Sequence, residues 1–559
     1  MKIGMTFYSS NPVQPPHPMD SIRYVSRSLT DALTPGHELV FLPPAYICAS
    51  AEEEQAMNEE FIRGCDVIVG SAVLGSIPAT RQRIGSNVPI VEFALGTFAR
   101  GGFVLEYHAP HLTNNDVLLV NCTSDLELAH KYFSNAQVHL LPFAIDDRLF
   151  HPLDEAERHA ARESFGFRPQ DRIVVYAGRI TLQKNIHTLL KVFSVVHSVV
   201  PDACLVLAGS IEEHGSPEFG ISPVRLLNTI RKLAAGLGIP GDRMRPMPGV
   251  PAARLRELYS IADVKVNLTL HHDENFGLSQ VEAMACGTPV IGTAWGGLKD
   301  TILDGVSGYR VSASMTPQGV KASWWEAVNR IVALLRDPDA RERFRDPCVR
   351  HATERYSQAA YEARLLEILR GSVSGKERPA EPLQATPFAE EIWRTCHPVR
   401  GQGPPYLRSP RSYELYRELM APIAGTTAES VPTGEALAPR QVLTLASPVT
   451  RDEEGRFRSN DPMYPFAIEV PEVHLEAFEA IVSVVREEPA LTVERLVHRL
   501  GAGVRNVSGT LAWMLDTGLL LRTRHVEGWL PPETIDGRLS EAFFRIERID
   551  NRSVDFLMV

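Results

Sequence analysis

Short apolar runs alternate with longer amphipathic stretches over roughly the first 370 residues. The runs Lys2–Tyr8, Glu38–Leu42, Asp66–Gly70, Pro89–Phe93, Val117–Asn121 and Val138–Leu141 predict strands, with helices over Ser21–Leu33 and Glu52–Ile62. Near residues 146–170 the texture changes to a loop, a short helix over Glu155–Phe165 and a turn. A second series then begins. Its strands are Ile173–Ala177, Cys204–Ala208, Met244–Met247, Val264–Leu268 and Val290–Thr293, alternating with helices over Asn185–Val199, Val224–Gly236, Ala253–Ser260, Leu278–Ala285 and Ser323–Leu335. Strands apolar at nearly every position, separated by helices, suit parallel sheets covered on both faces. The expected fold class is α/β, with two doubly wound Rossmann-like domains, 1–150 and 151–370, facing a cleft. Open sheets of this kind bind ligands beyond the carboxyl ends of their strands, so the facing edges share one cleft.

After Tyr361–Arg370 the periodicity fades into a Gly-, Pro- and Ser-rich stretch, and 371–465 reads as a linker or irregular packing segment. Order returns over 466–559. Helices over His474–Glu487, Val493–Leu500 and Val507–Thr517, then a strand over Leu519–Thr523 opening a hairpin, would form a mainly helical, winged-helix-like domain. Its expected core is Leu491, Val493, Leu496 and Val497 with Leu511, Leu515 and Leu519. Arg495, Arg499, Arg505 and Arg522 lend it basic surface, but Asp516 and neighbouring glutamates weaken a phosphate footprint. Contact with a protein partner, or homodimerisation, is favoured over DNA binding.

Composition changes this picture little. Of 559 residues, 44% are hydrophobic and 22% charged, an ordinary globular balance. A net charge of −11 argues against nonspecific nucleic-acid binding by the whole chain. Seven scattered cysteines without metal-site spacing suggest reduced thiols and a cytoplasmic setting. No signal-peptide pattern and no uncharged apolar stretch of roughly 18 residues occurs. Peripheral contact at the inner membrane surface stays open.

The chemistry concentrates after the run Val264–Leu270. Glu274 and Asn275 fall in a loop at a strand's carboxyl end, and Phe276, Gly277 and Leu278 open a helix whose unpaired N–H groups favour a phosphate. Gly277 permits close backbone approach. Glu282, about one turn further along, can accept hydrogen bonds from a ribose diol. The next strand leads to Gly296 and Gly297, where a ligand can also approach the backbone. An ordinary βαβ unit with a surface Glu274 and a solvated Glu282 fits the same pattern.

The whole string ENFGLSQVEAMACGTPVIGTAWGG (274–297) resembles the donor-binding signature of the retaining GT-B glycosyltransferases of family 4, including its Glu-x7-Glu spacing. The segment Tyr176-Ala-Gly-Arg179-Ile-Thr-Leu-Gln-Lys184-Asn185 is similar to that family's basic βα loop, although the family's usual Lys-Gly reads Lys184-Asn185. The stretch from Leu141 to Pro152 resembles its interdomain bridge, with Phe143-Ala144 in place of the usual Asn-Gly. The resemblance implies transfer of sugar from a nucleoside diphosphate sugar with retention of configuration. Arg179 and Lys184 would then stabilise the leaving diphosphate, Glu274 would approach the donor sugar, and Glu282 would hold the ribose. A nucleotide-sugar epimerase or a phosphorylase shares such a fold, though no lysine is identifiable as a pyridoxal phosphate anchor.

On the acceptor side the residues speak less. Ser9, Ser10 and Asn11 follow the first strand and suit a phosphate or hydroxyl, and His108 is a candidate near the reacting sugar. Helix capping and turn formation explain the first three, and a solvated loop the histidine. His271-His272-Asp273 superficially resembles a metal cluster, but a ligand-facing or solvated loop is the reading adopted. Neither a required metal nor a tightly bound cofactor is expected, and the acceptor is not legible.

Overall fold

The computed structural model describes all residues except 7–19, 45–46, 72–74, 95–108, 182–183, 212–222, 272–273, 317–318, 376–378, 397–409, 425–436, 447–448, 460–465, 524–527 and 533–559. In the first lobe the strands are β1 (Lys2–Met5), β2 (Glu38–Phe41), β3 (Val67–Gly70), β4 (Ile90–Phe93), β5 (Val117–Val120) and β6 (Gln137–Leu140). They form a parallel sheet in the order β2-β1-β3-β4-β5-β6. The central strands β3, β4 and β5 are buried at every position, apolar throughout except for Glu92 in β4. Helices α1 (Asp20–Leu33), α2 (Ala51–Arg63), α3 (Ile77–Arg83) and α4 (Thr123–Tyr132) accompany them. Ser50 caps α2 by accepting from the Glu53 N–H. A buried Arg81–Asp116 pair ties α3 to the sheet, the Asp116 carboxylate also accepting from the N–H groups of Ile90 (2.8 Å) and Thr113 (2.7 Å).

The second lobe repeats the plan. Helix α5 (Glu155–Ser164) starts in a reciprocal capping box between Asp154 and Glu157. Then β7 (Arg172–Ala177), α6 (Ile186–Val199), β8 (Ala203–Ala208), α7 (Pro223–Gly236), β9 (Met244–Met247), α8 (Ala252–Ile261), β10 (Val264–Asn267), α9 (Leu278–Ala285), β11 (Val290–Thr293), α10 (Leu298–Thr301) and β12 (Gly308–Val311) follow. The parallel sheet runs β12-β11-β10-β7-β8-β9. A hairpin, β13 (Ala313–Thr316) and β14 (Gly319–Ala322), precedes α11 (Trp324–Arg336) and α12 (Pro338–Tyr356). Helix α13 (Gln358–Gly375) then returns to the first lobe, burying Tyr361, Leu365, Ile368 and Leu369 against its sheet.

The segment expected to be a linker or irregular packing segment is ordered in two pieces that belong to different bodies. Helices α14 (Pro387–Cys396) and α15 (Pro410–Met420) pack on the first lobe, because Ala389, Ile392, Leu415, Leu419 and Met420 give them an apolar face. Strand β15 (Val442–Leu445) and the small antiparallel sheet of β16 (Val449–Arg451), β17 (Phe457–Ser459) and β18 (Phe466–Ile468) join the C-terminal unit.

That unit continues with α16 (Leu475–Glu487), β19 (Ala490–Thr492), α17 (Val493–Leu500), α18 (Val507–Asp516) and β20 (Leu520–Thr523). Three helices and a strand fall where the periodicity placed them, but the sheet is built differently from the expected hairpin. Its middle strand is β15, supplied from upstream and antiparallel to both β19 and β20. Val497, expected in the core, is 49% exposed because α17 turns it outward. Leu496 and Leu511 are buried as expected. The unit docks on the second lobe, with the Ser323 and Thr523 hydroxyls 2.9 Å apart and the Trp324 indole donating to the Leu445 carbonyl at 3.3 Å. No described helix is long and apolar enough to cross a membrane.

Candidate active site

The loop after β7 carries Arg179 and ends at Lys184, where α6 begins. Asn185 caps that helix in the left-handed region at φ 56°, and its side-chain amide donates to the Leu268 carbonyl at 2.7 Å. Asparagine tolerates this conformation better than most residues with a Cβ, so the turn is kept without glycine. The Tyr176 hydroxyl donates to the Arg179 carbonyl (2.7 Å), anchoring the other end of the loop.

Lys184 and Glu274 meet directly. The Lys184 Nζ lies 2.6 Å from Glu274 Oε2, with only 17% and 8% of the two side chains exposed. Largely withdrawn from water, the pair interacts more strongly than a surface ion pair. Asn275, the next residue, reaches across the cleft to donate to Asn121 Oδ1 at 3.1 Å. Phe276 turns into the interior, edge-on to Phe143 and Tyr356 with ring centroids 5.5 and 5.4 Å away. Its role here is packing. Gly277 adopts φ 85° as the N-cap of α9, and Leu278 opens the helix.

Glu282, one turn into α9, accepts from the Tyr259 hydroxyl at 3.3 Å. Burial pushes its carboxyl up to about 7, with Asp146 of the interlobe bridge adding to the rise while Tyr259 and Lys265 oppose it. Across the cleft, Tyr24 of α1 feels the charges of Asp146 and Glu282.

Gly296 and Gly297 adjoin this loop, but their N–H groups are engaged within the chain. Gly297 donates to the Glu274 carbonyl at 2.7 Å and Gly296 to the Ile423 carbonyl at 2.8 Å. A Cβ on Gly297 would sit 2.3 Å from the Asn275 carbonyl carbon, and one on Gly296, at φ 53°, 2.2 Å from the Glu274 oxygen. Neither backbone contact can yield without moving Glu274. Gly297→Ala is therefore expected to displace this loop and lower affinity for a diphosphate ligand by about tenfold or more. Titration calorimetry checks this, with circular dichroism confirming the fold.

Lys265 was not among the residues singled out by motif. It lies in β10, fully buried, and its Nζ has no hydrogen-bond partner among the described residues. Burial pulls its ammonium down to about 7, opposed by Glu274 and Glu282 and reinforced by Lys184. A lysine inside the valine-rich strand VKVN is the signal that finds it. Ser9, Ser10, Asn11, His108, His272 and Asp273 lie outside the described residues. No group of three or more His, Cys, Asp or Glu able to hold a metal occurs among the described residues.

Taken together, two carboxylates, an ion-paired lysine and a helix start lie along the carboxyl edge of the second sheet. This can hold an anion and hydroxyl groups side by side.

Residues 157–346 match the family described as Glycosyl transferases group 1. A D-inositol 3-phosphate glycosyltransferase of Segniliparus rotundus is 32% identical over 249 residues, covering 44% of this chain and 50% of that protein. A mannosylfructose-phosphate synthase of Agrobacterium fabrum is 32% identical over 161 residues, covering 29% and 33%. The chain thus spans half or less of the length of these two relatives. Among solved structures, Anabaena HepE in complex with UDP and glucose aligns at a TM-score of 0.50 and 15% identity, over 66% of this chain and 99% of that one. A glycosyltransferase from Rickettsia africae aligns at 0.50 and 13% identity, over 66% and 98%. These likenesses show the fold: two Rossmann-like lobes in the GT-B arrangement, with a mainly helical C-terminal region beyond them.

Proposed function

We propose that this chain is a glycosyltransferase that takes a sugar from a nucleoside diphosphate sugar and passes it to an acceptor with retention of anomeric configuration. The observation that carries the reading is the Lys184–Glu274 pair at 2.6 Å, with Glu282 one turn along the adjoining helix. It lies within the stretch that matches the glycosyl transferase family. Arg179 and Lys184 neutralise the diphosphate as its bond to the sugar breaks, and the start of α9 receives a phosphate oxygen. Glu274 orients the sugar and steadies positive character at its anomeric carbon. Glu282 accepts from the ribose hydroxyls. The departing diphosphate takes the acceptor's proton, so these two glutamates do not form the acid and base of a glycosidase.

The test is incubation of the full chain with UDP-, GDP-, ADP- and TDP-sugars and extract-derived acceptors, read by mass spectrometry and by NMR of the product's anomeric proton. A glycosylated product of unchanged anomeric configuration is expected. An epimerised nucleotide sugar would indicate an epimerase, and a sugar phosphate formed from glycan and phosphate a phosphorylase; either would sink the reading.

For the C-terminal unit we propose protein contact, through a partner or a second copy. Two observations support this over DNA. Arg495 and Arg499 are ion-paired to Glu488 and Glu487, and α18, where a recognition helix would lie, contains no lysine or arginine. No salt-dependent gel shift with duplex DNA is expected, and a robust one would overturn this proposal.

A further inference from the structure

Residues 379–396 and 410–424, beyond α13, lie along the first lobe. Glu381 O accepts from the Asn114 N–H at 2.8 Å, Leu383 donates to the Leu112 carbonyl at 3.1 Å, and Thr386 donates to the Tyr132 carbonyl at 2.9 Å. Phe388 then stacks on Tyr132 with ring centroids 6.1 Å apart, and Lys131 Nζ donates to the Glu418 carbonyl at 3.2 Å. Leu415, Leu419, Met420 and Ile423 share one apolar cluster with Leu128 and Ala129 of α4. This anchors the segment to the first lobe.

At its end the segment turns to the other lobe. Ile423 O accepts from the Gly296 N–H at 2.8 Å, Pro422 O accepts from Lys299 Nζ, and Ala424 makes a bridge to Trp295. Trp295 itself belongs to the first-lobe apolar cluster. The covalent chain passes between the lobes at the Leu141–Pro152 bridge and again between α12 and α13. The segment adds a further tie, which lands on the loop that supports Glu274 through the 2.7 Å bond from Gly297 N–H to Glu274 O. Nearby, Asp300 accepts from the Thr123 N–H (2.6 Å) and hydroxyl (2.7 Å), capping α4 from the opposite lobe.

We propose that residues 379–396 and 410–424 are a strap belonging to the donor site, whose Ile423 and Pro422 carbonyls hold the Trp295–Gly297 turn and the start of α10 and thereby position Glu274. These are positioning residues and touch no substrate. The inference rests on the donor-site reading above for its consequence, but not for the contact itself. It follows that the transferase unit extends past α13 to residue 424. Any hinge motion of the lobes is also resisted at the donor loop.

The test uses the full chain. Ile423→Asp puts a carboxylate at a fully buried position beside Trp295. Affinity is measured by calorimetry against UDP, GDP, ADP and TDP, and amide hydrogen exchange is read peptide by peptide. The expected result is about tenfold weaker binding of the preferred nucleotide and faster exchange over 295–299, with protection in β7 and β8 unchanged. Unchanged affinity, or faster exchange confined to 410–424, overturns the proposal. If the unaltered chain binds none of the four nucleotides, the donor-site reading fails and the exchange at 295–299 alone decides the strap. If Ile423→Asp loses protection throughout the first lobe, Lys299→Met replaces it under the same criteria, with a severalfold effect expected.

Discussion

Replacing Lys184 with alanine is expected to lower kcat by about two to three orders of magnitude, the cost of losing one donor aimed at developing charge. It also leaves the buried Glu274 carboxylate without its 2.6 Å partner. Stranding a buried charge costs ~3 kcal/mol, so thermal stability falls as well. Two effects with one origin are separable. In the double variant Lys184→Met, Glu274→Gln the unpaired charge is gone, and most of the stability returns while activity does not. Chemical denaturation and steady-state donor turnover measure the two sides. Recovery of activity in the double variant would contradict the assigned roles.

Lys265→Met should change both stability and pH dependence. The lysine's ammonium falls from an ordinary 10.5 to about 7 on folding. Between those pH values the unfolded chain binds a proton that the folded chain lacks, so this group's contribution to stability rises with pH across the window. Below about 7 its full destabilising effect is present. Methionine, similar in length and uncharged, is therefore expected to raise Tm at pH 7, with the gain shrinking toward pH 10. Glu282 moves the other way. Its carboxyl rises from 4.5 to about 7, so its contribution is fully present below pH 4.5 and lost as pH climbs through 7. On the proposed role, ionised Glu282 is the form that would accept from a ribose diol, so nucleotide affinity should increase through pH 7. Lys265 opposes the rise in Glu282, and its removal should move that midpoint upward. Calorimetry across pH 6–9 reads this shift, and an unmoved midpoint would separate Lys265 from the site.

Both lobes were legible because parallel strands buried on two faces leave uninterrupted apolar runs, as β3, β5 and β8 do. The loop that carries Glu274 was legible as a strand-end loop opening a helix, from the glutamates and glycines spaced around α9. Other parts have no local signature. The strap's helices carry apolar residues at helical spacing, but their docking partner lies 255 to 287 residues away in sequence at α4. Strand β15 is a short apolar run whose neighbours β19 and β20 come later in the chain, and this is why a downstream hairpin looked sufficient. Phe276 reads as a ligand contact by position, whereas two aromatic rings from distant segments draw it into the core. Gly296 and Gly297 read as places where a ligand comes close to the backbone. What approaches them is the loop of Glu274 and Asn275, with the Ile423 carbonyl on the Gly296 N–H.

On the proposed reading, the edge formed by Lys184, Glu274 and Glu282 holds a nucleoside diphosphate. Calorimetric titration of UDP, GDP, ADP and TDP into the full chain at pH 8, alongside Glu282→Gln, tests it most directly. One nucleotide is expected to bind the unaltered chain at micromolar affinity, weakened about tenfold or more by the substitution. Binding of none of the four, or equal affinity in both proteins, would contradict it.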